Sequence, residues 1–151
     1  MSRVLTKRSG ETGETLEKEQ YQALARFRYA LRAFLAFSEE ATRKSGFTPQ
    51  QYQALLAIKA SPNEALLVGE LAEQLLLKHN NTVQLVDRLS ESGLVRRYPS
   101  RDDRRAVVVT LTARGENKLA RLAFVHFREL LSRQKELSAI SRLASKMDDI
   151  A

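Results

Sequence analysis

From about residue 16 to 45, apolar residues recur at helical spacing: Leu24, Phe27, Leu31 and Phe34, with Leu35 and Ser38 beside the next turn. Ser45-Gly46 can stop this helix, because glycine accepts the left-handed conformation. In TPQQYQALLAI, Thr48 can cap, Pro49 fits the first helical position and Gln51 completes a capping box. A second helix is therefore expected over about 49–60, ended by Ser61-Pro62-Asn63. A short helix over about 68–75 keeps Leu71, Ala72 and Leu75 together. After a brief connection, a further helix spans about 79–92, stopped by Gly93. LVRRYP and AVVVTL then have the β-branched character of strands, with a charged turn between them. Thr112 can cap a long helix over about 113–133, whose apolar residues are Leu119, Leu122, Phe127, Leu130 and Leu131. A last helix, about 135–148, carries Leu137, Ile140, Leu143, Ala144 and Met147 at helical spacing.

The order predicts a mainly α fold with a small β-ribbon. Two closely spaced short helices followed by a charged ribbon outline a winged helix-turn-helix, about residues 48–112. Residues 1–15 mix Gly, Thr, Ser and charges without period and read as a flexible tail. Residues 16–151 read as one domain, flanking the winged unit with helices at about 16–45 and 113–148.

Composition narrows the function. The formal net charge of +7 points to a polyanionic partner, nucleic acid before membrane. No window approaches a membrane span, and the basic N-terminus lacks the apolar core of a signal peptide, so a cytoplasmic, nucleoid-associated protein is expected. Cysteine is absent, which excludes disulfides, thiolate metal sites and thiol redox sensing by this chain. His79 and His126 have no partner at metal-ligand spacing, so neither a metal nor a cofactor is expected. There is no acid/base pair, nucleophile elbow or Gly-rich phosphate loop, and no enzyme is expected.

On the 79–92 helix, Val83, Leu85, Val86 and Leu89 fall in one broad sector, expected to pack on the domain. The opposite sector holds Asn80, Asn81, Gln84, Asp87, Arg88 and Glu91. Asn and Gln suit adenine edges and Arg suits guanine. Asn80, Asn81, Gln84 and Arg88 are therefore the candidate base-reading residues; the plainer alternative is an amphipathic helix with a solvated outer face. Asp87 and Glu91 repel phosphates and belong at the edge of any contact. Lys78 is the natural phosphate partner at the helix start. His79 either donates to a phosphate or has no role.

The stretch SRDDRRAVVVTLT places Arg101, Asp102, Asp103, Arg104 and Arg105 directly before branched apolar residues. Leu94, Val95, Val107, Val109 and Leu111 can bury one face of the ribbon, leaving its tip free to project. An arginine-rich tip on a rigid stalk reaches a DNA backbone or narrow minor groove. The aspartates can hold a neighbouring guanidinium in one rotamer. Phe27, Phe34, Phe37 and Tyr52 are candidates for an apolar ligand pocket, though aromatics at this spacing also serve as plain core. The stripes of the first and last helices would leave large exposed patches on a monomer, which a twofold partner would cover.

GELAEQL, LVDRLSESGLVRR and DDRRAVVVTLTARG, in this order and spacing, resemble the MarR family of bacterial transcription regulators over about residues 20–148. The resemblance implies a homodimer whose first and last two helices form the dimerisation region. It implies binding of a pseudo-palindromic operator in double-stranded DNA, usually as a repressor, and release by a small aromatic or phenolic ligand in many members. It assigns base reading to Asn80, Asn81, Gln84 and Arg88, and the wing to Arg101, Asp103, Arg104 and Arg105. Two departures stand out. Leu76 occupies the turn where members often have Gly. Lys78 and His79 stand where a Ser or Thr often caps, so that either the helix starts loosely or Asn80 caps it and leaves the reading face. A ligand-insensitive architectural protein that coats DNA with low sequence specificity is the alternative function.

Overall fold

The computed structural model describes residues 15–148; the expected tail falls almost wholly outside them. Helices α1 (Lys18–Lys44) and α2 (Pro49–Ala60) are followed by strand β1 (Ala65–Leu67), helices α3 (Val68–Leu75) and α4 (His79–Glu91), strands β2 (Val95–Pro99) and β3 (Val107–Leu111), and helices α5 (Ala113–Ser132) and α6 (Gln134–Asp148). The caps act as their chemistry requires. Thr48 Oγ1 accepts from the Gln51 N–H at 3.1 Å while the Gln51 side chain accepts from the Thr48 N–H at 3.0 Å. Gly46 and Gly93 end α1 and α4 with φ of 77° and 71°, where a Cβ would be strained.

The sheet has three strands, not the two of the expected ribbon. β1 and β2 both pair antiparallel with β3, giving the order β1-β3-β2. Leu66 lies opposite Val109, and Arg97 lies opposite Val109 from the other side. Leu94, Val95 and Val109 are buried beneath Leu55, Ile58, Leu71, Val86 and Leu89, with Leu119 and Leu122 of α5 closing the core. Val107, expected to be inside, is exposed near the wing tip, where the strands have left the body.

Leu76 ends α3 in the left-handed conformation, φ 54° and ψ 38°, and the residue is 93% exposed. A leucine there stores about 1 kcal/mol that glycine would not. Part of that relief is offset by the greater freedom of glycine in the unfolded chain. Leu76→Gly is expected to raise the thermal midpoint by about 2 °C, whereas Leu76→Ala, which keeps a Cβ, leaves it unmoved. A midpoint that fell for the glycine variant alone would show the turn to be unstrained.

α1 packs on α5 and α6. Its buried positions are Ala23, Ala30, Ser38 and Thr42, with Phe27, Phe34 and Phe37 half-buried, while Leu24, Leu31 and Leu35 stay exposed. On α5, Leu119, Leu122 and His126 are buried, whereas Phe124, Phe127, Leu130 and Leu131 face outward. Leu137, Ile140 and Leu143 of α6 are half-buried; the Met147 side chain lies outside the described residues. No described helix is long and apolar enough to cross a membrane.

Candidate nucleic-acid interface

α4 turns Thr82, Leu85, Val86 and Leu89 into the core. Thr82, not Val83, takes the fourth buried position, because its hydroxyl donates to the Lys78 carbonyl at 3.1 Å and so enters the interior satisfied. Val83 is exposed, against the sequence expectation. Lys78 is the N-cap, with no side-chain cap hydrogen bond, and His79 is the first helical residue. Asn80 lies inside the first turn and is not the cap, so it stays on the outer surface with Asn81, Gln84 and Arg88, all exposed.

Two hollows flank this helix. On one side Asn81, Gln84 and Arg88 line a polar hollow of about 380 Å³ with Thr48, Pro49, Gln50 and Gln51 at the start of α2. The α2 start thus borders the candidate reading face, and Gln50 and Gln51 join the polar groups there. On the other side His79 and Val83 line a hollow of about 530 Å³ with Arg97, Tyr98, Arg104, Arg105 and Val107 of the wing. One flank of α4, through His79 and Val83, therefore shares a hollow with the arginine-bearing ribbon, while the amides and Arg88 line a separate hollow on the other flank.

Asp87, assigned to the edge of the contact by sequence, forms an ion pair with Arg97 of β2. Both groups are partly exposed, so the pair adds little stability by itself. Its consequence is geometric. It links α4 to the wing and neutralises the Asp87 carboxylate. Arg97 was not among the residues singled out by sequence, since a pairing between two elements leaves no local pattern.

At the wing tip, Arg101, Asp103, Arg104 and Arg105 are all exposed. Neither Asp102 nor Asp103 pairs with a tip guanidinium, contrary to expectation. Asp103 instead organises the backbone: its Oδ1 accepts from the Arg105 N–H at 3.0 Å and its carbonyl from the Ala106 N–H at 2.9 Å. The Asp102 N–H donates to Ser100 Oγ at 3.3 Å. The short side chain of aspartate favours such a turn over reaching a neighbouring arginine. Among the described residues no carboxylate pairs with Arg101, Arg104 or Arg105, and all three are exposed.

The aromatic residues proposed for a ligand pocket converge only in part. Phe34 and Tyr52 line a cleft of about 790 Å³ with Ser38, Leu56, Phe124 and Phe127, among others. Phe37 packs edge-on against His126 with ring centroids 5.7 Å apart, whereas Phe27 lines no part of the cleft. Sequence reasoning missed His126, which lies at the centre. It is buried, stacked on Tyr52 at 4.2 Å, with Nδ1 2.7 Å from the Leu122 carbonyl and Nε2 2.8 Å from Ser38 Oγ. A carbonyl only accepts, so Nδ1 carries a proton; in the neutral ring Nε2 accepts from the serine hydroxyl. Burial pushes the Tyr52 phenol above its ordinary pKa, keeping it neutral. Among the described residues no lysine or arginine lines the cleft.

Comparison with known proteins finds transcription regulators similar to this chain. The family model described as MarR family matches residues 45–106. The HTH-type transcriptional regulator YkoM of Bacillus subtilis is 30% identical over 114 residues, covering 73% of this chain and 72% of that protein. The HTH-type transcriptional repressor MdtR of the same organism is 31% identical over 100 residues, 66% of this chain and 58% of that protein. Among solved structures, AbsC, a MarR family transcriptional regulator from Streptomyces coelicolor, superposes with a TM-score of 0.70 at 19% identity, covering 91% of this chain and 95% of that one. Sco3205, from the same organism and in complex with DNA, gives a TM-score of 0.67 at 22% identity over 91% of this chain and 92% of that one.

Proposed function

The chain belongs to the MarR family of transcriptional regulators, and we propose that it binds an operator in double-stranded DNA sequence-specifically, as a homodimer, and represses transcription there. Members of this family regulate transcription and are not enzymes. The observation that carries the proposal is the placement of α4 beside the wing: its outer face exposes the amides and Arg88, and its flank, through His79 and Val83, shares a hollow with Arg104 and Arg105. A helix that fills a major groove while the ribbon lies one groove over needs this juxtaposition. Asn80, Asn81, Gln84 and Arg88 are the proposed base readers; Lys78, His79, Arg101, Arg104 and Arg105 are the proposed backbone contacts, with Asp103 shaping the tip.

The dimer is supported by what one chain leaves uncovered. Leu31 and Leu35 on α1, and Phe124, Phe127 and Leu131 on α5, are large apolar residues in water. A twofold partner that buries them sets two copies of α4 about one DNA turn, ~34 Å, apart. Selection of bound duplexes from random DNA is expected to return a two-armed consensus. Equal loss of binding to any competitor duplex would instead assign the alternative, an architectural coat of low specificity.

The proposal includes release by a small aromatic ligand in the cleft around His126. Its walls are apolar, Ser38 Oγ can still accept from a phenol hydroxyl while donating to His126, and among the described residues no cationic side chain is there to meet a carboxylate. A neutral phenol therefore fits better than an aromatic acid. Phenols are expected to raise the thermal midpoint and to weaken operator binding, with benzoates inert; a screen in which neither class acts would remove the ligand from the account.

A further inference from the structure

Val83 is an apolar side chain on the exposed face of α4, among polar and charged residues. At 100° per residue it lies about 70° from the line directly opposite the buried face, as far round as Arg88 on the other flank. It is 37% exposed and stands outside the core cluster, so part of it is open to a partner. Toward the wing it meets Tyr98 and Val107, themselves exposed, across the same hollow. A lone exposed valine on a solvated helix would need no explanation. Here it lies between Asn80 and Gln84 in the sequence of the reading helix, in the N-terminal half that enters the groove most deeply.

The chemistry of the groove narrows what such a side chain can recognise. The major-groove edges of base pairs present donors and acceptors, together with one methyl group, the 5-methyl of thymine. Valine has no hydrogen bond to offer. Placed over a donor or acceptor it would strip water without replacing it, which is unfavourable. Over a thymine methyl it buries carbon against carbon. Ordered on one side by the packed Val86 and tied to the wing through the neighbouring Asp87–Arg97 pair, its position is fixed by the fold and not by a flexible side chain.

We infer that Val83 reads the 5-methyl group of a thymine in each half-site, a specificity contact separate from those of the amides and Arg88. The inference rests on the operator reading above, and the test separates the two. The full chain is first used to select its consensus from random duplexes. Each thymine of a half-site is then replaced in turn by uracil, which removes only the methyl. For the wild-type protein, one thymine per half-site is expected to cost about fourfold in affinity when demethylated. Val83→Ala should lose a similar factor on the thymine duplex, keep its thermal midpoint, and no longer distinguish thymine from uracil. As a check that needs no variant, 5-methylcytosine at that position should bind the wild-type protein more tightly than cytosine by the same factor. A consensus whose thymines all tolerate uracil, or one without thymine in its arms, would overturn the valine assignment alone. A selection that returned no consensus would remove the operator reading and this assignment with it.

Discussion

Gly115→Ala is expected to destabilise the protein by about 3 kcal/mol, lowering the thermal midpoint by about 9 °C. Gly115 lies in the first turn of α5 against the backbone of Leu94, at the start of the ribbon. A methyl group there would collide with the Leu94 carbonyl oxygen and lie 3.0 Å from its carbon. Backbone cannot rotate away as a flexible side chain can. The same oxygen accepts from the Thr112 N–H at 3.0 Å, so displacing it also breaks a hydrogen bond worth about 1 kcal/mol.

The neighbourhood leaves little room for relaxation. Thr112 Oγ1 accepts from the Gly115 N–H at 3.0 Å and its hydroxyl donates to the Gly93 carbonyl at 2.6 Å. The Leu94 N–H in turn donates to the Leu89 carbonyl at 2.9 Å, at the end of α4. α4, the ribbon and α5 therefore share one junction. Gly69→Ala is the matched control. It lies in the first turn of α3, where an added Cβ meets nothing within 4 Å, so helix propensity alone decides and stability should rise by roughly 0.5–1 kcal/mol. Denaturant melts of the two variants check the pair. A loss below about 1 kcal/mol for Gly115→Ala would show that α5 can pivot freely off the ribbon.

What could be read along the chain was whatever is encoded locally. Thr48 with Pro49 and Gln51, Gly93, and Thr112 mark element boundaries because a cap or a left-handed stop acts within a few residues. β1 was invisible for the opposite reason. Three residues, Ala65–Leu67, are too few to show alternation, and they are a strand only because Val108 to Thr110 of β3 lie beside them. Thr82 and Val83 adjoin at the edge of the apolar sector. Hydrophobicity selects the valine for the interior, whereas the structure buries the threonine, because a hydroxyl bonded to its own helix can be buried at little cost. The Asp87–Arg97 and Ser38–His126 contacts join different elements, and no spacing in the sequence announces them. Residue types on the proposed reading face were legible; the hydrogen bonds and ion pairs that hold that face beside the wing were not.

Arg88→Ala and the wing variants Arg104→Ala and Arg105→Ala should separate base reading from backbone binding, since both remove guanidinium groups but at different places. Arg88 is exposed in the second half of α4, beside Gln84 and facing Gln50 and Gln51 across the polar hollow. It makes no ion pair among the described residues, so its guanidinium keeps its two-point fork for a guanine edge. Its loss should cost about 1–3 kcal/mol in operator affinity and relax preference at one base position in each half-site. Arg104 and Arg105 extend from a turn whose backbone Asp103 holds, and their charge meets phosphates whatever the sequence. Each wing variant should weaken all duplexes alike and reduce the slope of log affinity against log salt by about 1. Titrations of operator and scrambled duplexes at several salt concentrations supply both quantities. Should Arg88→Ala leave the sequence preference untouched while changing the salt slope, Arg88 would be a phosphate contact, and base reading would fall to Asn80, Asn81 and Gln84.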